Sequence, residues 1–555
     1  MSSADLVFRN ATIVDGTGSA PFTGDVAIAD GKILSVGQWD GAATREIDAA
    51  GRVIAPGFID IHTHFDPQLC WDRLATPSLE HGLTTVIIGN CSLSLAPVHP
   101  GDVDKVISLF QVIEDIKKPT FDAAVPFTWE SFSEYLDHIR PGLGINVAAM
   151  IGHSTLRTFV MGAAAQERTA TAEELETMCD LVRAGMEAGA LGISSSYVDI
   201  DENMRPVASR YADLNEKIAL CRAMRESGRG MWQVVPYFPD PKQQIENIRE
   251  LGEISRASGA PCSLQPILSA PTSPDAKESI DALRAEHERG ARVFGQVMPR
   301  CFDLNMRLSE TSMLLYALPG WKAIMDQPMP GRIDLFKDPA TREALVEEMK
   351  NAQGMSGALP FLRVGDVTSE KNEPYRGRMI LEIATEAGVS VAETILDIAL
   401  EDDLTTEFQL QGILNADKEA VGRLLDNPYC HFGASDAGAH ITQFCGTGDT
   451  SHLLEHYVRE KGLMPIERAI HRMTGELAEA WGLGDRGTLE TGKAADVVHF
   501  DPETVSVGAE YFVNDFPGEA NRYLRPATGY HHVVVNGEVV LEDGEYTDAR
   551  PGTIV

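Results

Sequence analysis

The stretch Gly57-Phe58-Ile59-Asp60-Ile61-His62-Thr63-His64-Phe65-Asp66 governs the reading of the whole chain. Its first half is a short apolar run of the kind that forms a buried strand, and it ends in two histidines separated by one residue. Along a strand, residues i and i+2 face the same side, so His62 and His64 point together and can share one metal ion. Seven more such runs follow, over 84–92, 145–154, 190–198, 230–238, 261–268, 291–299 and 431–438. The segments between them carry helical periodicity, as in 171–189, where Leu175, Met178, Leu181 and Val182 recur at three to four residues. Eight strand-helix units with near-continuous apolar strands predict an α/β fold. Its form is a (β/α)8 TIM-like barrel with its chemistry at the C-terminal ends of the strands.

Residues from about 301 to 425 exceed one connecting helix, which predicts a long insertion after the seventh barrel strand, covering the mouth as a lid. The two ends read differently from the middle. Residues 1–56 and 485–555 break into short alternating strands bounded by Gly, Asp and Pro, with Asn536-Gly537 and Asp543-Gly544 as hairpin turns. The expectation is a small β-sandwich domain built from both termini, 1–56 and 485–555, around a barrel at 57–484.

Acidic residues outnumber basic ones by 82 to 47 over 555 residues, giving a net charge of −35. That sign repels phosphate backbones and anionic lipid, which excludes nucleic acid and membrane surfaces as partners and leaves a small-molecule substrate. The eight cysteines are scattered without a CxxC pair, so no disulfide framework is expected and a reducing, cytoplasmic setting fits. The first residues lack a basic stretch followed by an apolar one, and no window of about 18 apolar residues occurs. A homo-oligomer is compatible with a long insertion, but no heptad pattern specifies one. Neither a GxSxG elbow nor a Walker loop is present.

Further phrases accompany the histidine pair. They are Gly89-Asn90-Cys91 after the second run, Gly152-His153-Ser154-Thr155-Leu156-Arg157 after the third, Gly189-Ala190-Leu191-Gly192-Ile193-Ser194 on the fourth and Ser435-Asp436 on the eighth. Near the end come Gly487-Thr488-Leu489, Gly492-Lys493-Ala494-Ala495-Asp496, Asn514-Asp515-Phe516-Pro517 and Val535-Asn536-Gly537. In this combination the chain resembles the amidohydrolase superfamily, and within it the N-acyl-D-amino-acid deacylases, or D-aminoacylases. The resemblance implies that His62, His64 and Asp436 form one metal position and that Cys91 is a ligand of a tightly held zinc. It also implies a histidine on the fifth strand and another on the sixth. Here those strands read Met231-Trp232-Gln233-Val234-Val235-Pro236 and Cys262-Ser263-Leu264-Gln265-Pro266-Ile267-Leu268, and no histidine lies between His153 and His287.

Three readings follow from that departure: a mononuclear enzyme with one Zn2+ per chain, a metal-poor relative that binds a ligand, or a site that recruits His153 or His440. Under the first, Asp436 is the general base for attack on a scissile carbonyl and returns the proton to the leaving nitrogen. His153 would donate to the carbonyl oxygen, Arg157 and Arg300 would clamp a substrate carboxylate, and His440 would line the mouth. The expected reaction is hydrolysis of a non-peptidic C–N bond, an amide or cyclic amide, in an N-acyl-D-amino acid or related small molecule. A lactone or ester is the alternative substrate. His287, within the charged segment 284–290, is expected on a solvated helix, and His452 and His456 on a helix surface.

Overall fold

In the computed structural model, which describes residues 3–555, each of the eight apolar runs becomes a strand of one parallel sheet. The strands are β1 (Phe58–Asp60), β2 (Leu83–Ile88), β3 (Asn146–Gly152), β4 (Gly192–Ser196), β5 (Met231–Val235), β6 (Cys262–Leu264), β7 (Val293–Val297) and β8 (Cys430–Phe432). They are hydrogen-bonded in chain order from β1 to β8. The sheet curls until its two edges meet at a parallel bridge between Thr63 and Ala437, where the His64 N–H donates to the Ala437 carbonyl at 2.7 Å. All the residues of β2 and β3 are buried, as expected of strands covered on both faces.

Helices α1 (Ala172–Ala188), α2 (Leu214–Arg225), α3 (Pro241–Ser258) and α4 (Lys277–Glu288) link β3 through β7. Local chemistry sets their ends. Thr171 and Glu174 form a reciprocal capping box at the start of α1, and Gly189 stops it in the left-handed conformation at φ 116°. Met178, Val182 and Met186 then form the buried stripe that packs against the sheet. The apolar runs overshoot the observed strands at their C-terminal ends. There the backbone leaves the ladder to present side chains to the barrel mouth.

Strands from both ends of the chain share one nine-stranded sheet, joined where Val53–Pro56 pairs antiparallel with Val497–Phe500. Alternation along this seam serves two cores at once: Val53 and Ala55 pack into the barrel's core, while Ile54 faces a separate cluster with Phe8, Ile28 and Val534. The segment between β7 and β8 has its own core around Trp321, Phe336, Ile395 and Phe408. It is tied to the hairpin Tyr511–Phe516/Ala520–Leu524 by Arg307, which donates to both Tyr523 and Glu407. Among the described residues, no helix is long and apolar enough to cross a membrane.

Candidate metal and active site

His62 and His64 lie just past the end of β1 and are fully buried. Cys91 follows β2 and Asp436 follows β8, and both adopt positive φ, at 54° and 55°. Ser92, Ala434 and His440 share that left-handed region. Such a concentration of strained non-glycine backbone marks loops shaped for their side chains rather than for the ladder. Gly89 makes the tight exit from β2 feasible: its φ is 78°, and a Cβ there would lie 2.2 Å from the Met150 carbonyl oxygen.

Four donor atoms converge, one each from His62, His64, Cys91 and Asp436, all within 4.8 Å of one another. The separations are 3.4 Å between the two Nε2 atoms, 3.4 and 3.5 Å from Cys91 Sγ to His62 and His64, and 3.7 Å from His64 Nε2 to Asp436 Oδ1. A tetrahedral site with bonds of about 2.0–2.3 Å holds its donors roughly 3.3–3.8 Å apart, so these spacings suit a single ion. The His62–Asp436 separation, 2.8 Å, is a hydrogen-bonding distance. Two imidazoles, a thiol and a carboxylate form a donor set suited to zinc.

Electrostatics reinforce the cluster. Burial pushes the Asp436 carboxyl up, but the adjoining His62 and His64 prevail and hold it well below the usual range. Burial lowers His64 to about 4. Burial, with the charges of Glu114 and Asp436, raises the Cys91 thiol well above its ordinary value, an environment that a coordinating cation reverses. Behind the donors, Asp60 accepts from Ser435 Oγ at 2.7 Å and from the His62 N–H at 3.0 Å. It thereby fixes the ends of β1 and β8 together. Asp66 accepts from the Gly89 N–H at 3.1 Å and joins the ends of β1 and β2.

Two acids at the site were not found by sequence reasoning. Glu114 Oε1 lies 3.1 Å from His64 Nδ1, with both side chains about 1% exposed, in the position of a partner that orients a metal-ligating imidazole. Burial raises its carboxyl well above the ordinary value. Glu114→Gln is accordingly expected to weaken metal retention by about 10- to 100-fold, measured by chelator competition. Unchanged retention would show that His64 is oriented by other contacts. Asp199, just past β4, lines the cavity over the donors, and burial raises it to about 6. Nothing in the local sequence of either acid signals its place, because the contacts arise only when distant loops meet.

The fifth and sixth strands bring Gln233 and Gln265 where the resemblance implied histidines. Gln233 donates to Gln265, and Gln265 Nε2 reaches Cys91 Sγ at 3.7 Å. His440 lines the cavity with the donors. The structure does not bring His153, Arg157 and Arg300 to that cavity. His153 sits between Ser195 Oγ at 3.1 Å and Glu216 Oε1 at 2.9 Å, and Arg157 pairs with the same Glu216 and with the carbonyls of Ala165 and Arg168. Arg300 donates to the Ser435 carbonyl at 2.6 Å and pairs with Asp449 at 2.9 Å, opening on a separate polar cavity that also holds His452 and His456. Each buried cation is drawn to a buried carboxylate that a linear reading cannot locate. His287 is half-buried rather than solvated: α4 packs onto β7, and its Nε2 lies 2.7 Å from the Val293 carbonyl oxygen. His452 likewise faces inward, and burial lowers it to about 2.

Residues 45–541 match the amidohydrolase family. The chain is similar to D-aminoacylase of Alcaligenes xylosoxydans xylosoxydans, with 28% identity over 561 residues covering 99% of this chain and 97% of that one. N-acyl-D-aspartate deacylase of the same organism is 27% identical over 562 residues, covering 100% and 95%. A solved structure of D-aminoacylase, reported on the functional role of its binuclear metal centre, one-metal activation and second-metal attenuation, superposes with a TM-score of 0.67 at 27% identity across 99% of both chains.

Proposed function

The chain belongs to the amidohydrolase family, and from that premise we propose a metal-dependent hydrolase of an amide or cyclic amide in a small molecule, holding one zinc ion per chain. The convergence of the His62, His64, Cys91 and Asp436 donors carries this reading. Gln233 and Gln265 support a single ion, since a carboxamide is a poor replacement for an imidazole ligand. In this reading the nine-stranded sheet is the composite β-sandwich, with the chain divided at 1–56, 57–484 and 485–555. N-acyl-D-amino acids, which the relatives' names indicate, are the reference substrate class.

Zinc bound at this donor set would acidify water and polarise a carbonyl oxygen. Asp436 is the proton acceptor. It stands on the wall of the cavity that admits substrate, and a cation bound beside it would keep it ionised at neutral pH. Having taken the proton from attacking water, it returns it to the departing nitrogen. Ser435, anchored through its Oγ to Asp60, holds the preceding backbone so that this carboxylate does not swing. His440, which burial keeps neutral, offers a hydrogen bond to substrate from the same wall.

Elemental mass spectrometry on protein purified without added metal or chelator tests the proposal. About one zinc per chain is expected, lost when His62→Ala and His64→Ala are combined and lowered in Cys91→Ala. Two ions per chain would overturn the mononuclear site, and no retained metal after reconstitution would turn the reading to ligand binding. Unchanged stoichiometry in Cys91→Ala would return that thiol to the core.

A further inference from the structure

The donors open into a cavity of about 450 Å3 between the barrel mouth and the segment that follows β7. Its wall is mostly apolar, with Phe238, Leu268, Met298, Phe302 and Met313 among its members. No lysine or arginine lines it among the described residues; its acids are Glu114, Asp199 and Asp436. Three arginines of the surrounding loops and helices are held by protein partners. Arg210 donates to the Val198 and Asp199 carbonyls at 2.9 and 3.2 Å, and Arg157 and Arg300 have the carboxylate partners described above. Asp199 Oδ2 is buried with no hydrogen-bond partner.

These features define what the cavity can accept. A substrate carboxylate would be stripped of water in an apolar chamber with no cation to meet it, facing Asp199. The charge of a divalent ion would be balanced by a Cys91 thiolate and Asp436, leaving none for a further anion. A neutral group avoids both penalties, and an N–H or ammonium group would supply the donor that Asp199 lacks. We propose that the substrate is an apolar amide without a carboxylate, selected by Asp199 through an N–H or ammonium group on it. The inference rests on the hydrolase reading above and departs from N-acyl amino acids as its substrates.

The test uses zinc-loaded full-length protein and three acetanilides matched in size, bearing a para methyl, aminomethyl or carboxylate group. Turnover is read as kcat/KM and binding as Kd by calorimetry. The carboxylate member is expected to be at least about tenfold poorer than the methyl member in both. Asp199→Asn is expected to cut the aminomethyl member's affinity about tenfold while leaving the methyl member within about threefold. A carboxylate member handled as well as the methyl one overturns the inference and leaves the hydrolase standing. Selective binding without turnover of any member overturns the hydrolase and leaves the selection standing. Equal loss on all three in Asp199→Asn, or binding of none by the wild type, overturns the role of the cavity. The wild-type series decides the carboxylate question even if the variant does not fold.

Discussion

Asp436→Asn is expected to lower kcat by roughly three to four orders of magnitude, the contribution of a positioned proton acceptor. The carboxamide keeps the shape of the side chain and can still contact His62, but it has no basic oxygen to take a proton from water. Fold is expected to survive, because position 436 sits at φ 55° and asparagine adopts that left-handed region as readily as aspartate. The measurement is kcat at matched zinc content, with circular dichroism as the check on folding. Retention of more than about a tenth of the wild-type rate would remove Asp436 as the general base.

The second large effect is on stability. Glu216→Ala is expected to destabilise the barrel by roughly 3–5 kcal/mol, because it leaves the fully buried Arg157 guanidinium and the His153 ring without their shared carboxylate. Denaturant midpoints compared with wild type would show it, and a loss below about 1 kcal/mol would mean that Arg157 finds other partners. The contribution has a pH signature. Burial would raise Glu216, but the His153 and Arg157 contacts prevail and hold it at about 2 against an ordinary 4.5. An acid depressed in the folded state stabilises fully above its unfolded value. The contribution then fades as pH falls from about 4.5 toward 2, and the gap between variant and wild type should close over that interval.

These two residues also show where a linear reading stops. Asp436 was legible through the resemblance, which assigns the Ser435-Asp436 phrase at the end of the eighth run to the metal position of His62 and His64. The eight strands were legible because two-sided burial writes continuous apolar runs into the chain. Glu216 was not legible: it lies on α2, and only the packing of that helix against the barrel places it between His153 and Arg157. Arg300 was expected at the mouth and is near the strand end, yet Asp449, 149 positions later, draws it aside. Glu114 and Asp199 have polar roles set by their distance to residues on other loops, which residue type and spacing do not encode.

The antiparallel seam between Val53–Pro56 and Val497–Phe500 bears on how the molecule is made. At ribosomal speeds of about 5–20 residues per second, roughly twenty to ninety seconds separate the emergence of these two strands. During that interval the strands of the first half-sheet present an open hydrogen-bonding edge, a template for pairing with another nascent chain. The seam therefore closes only late in synthesis, and crowded synthesis rather than the folded state is where this architecture is most exposed to aggregation.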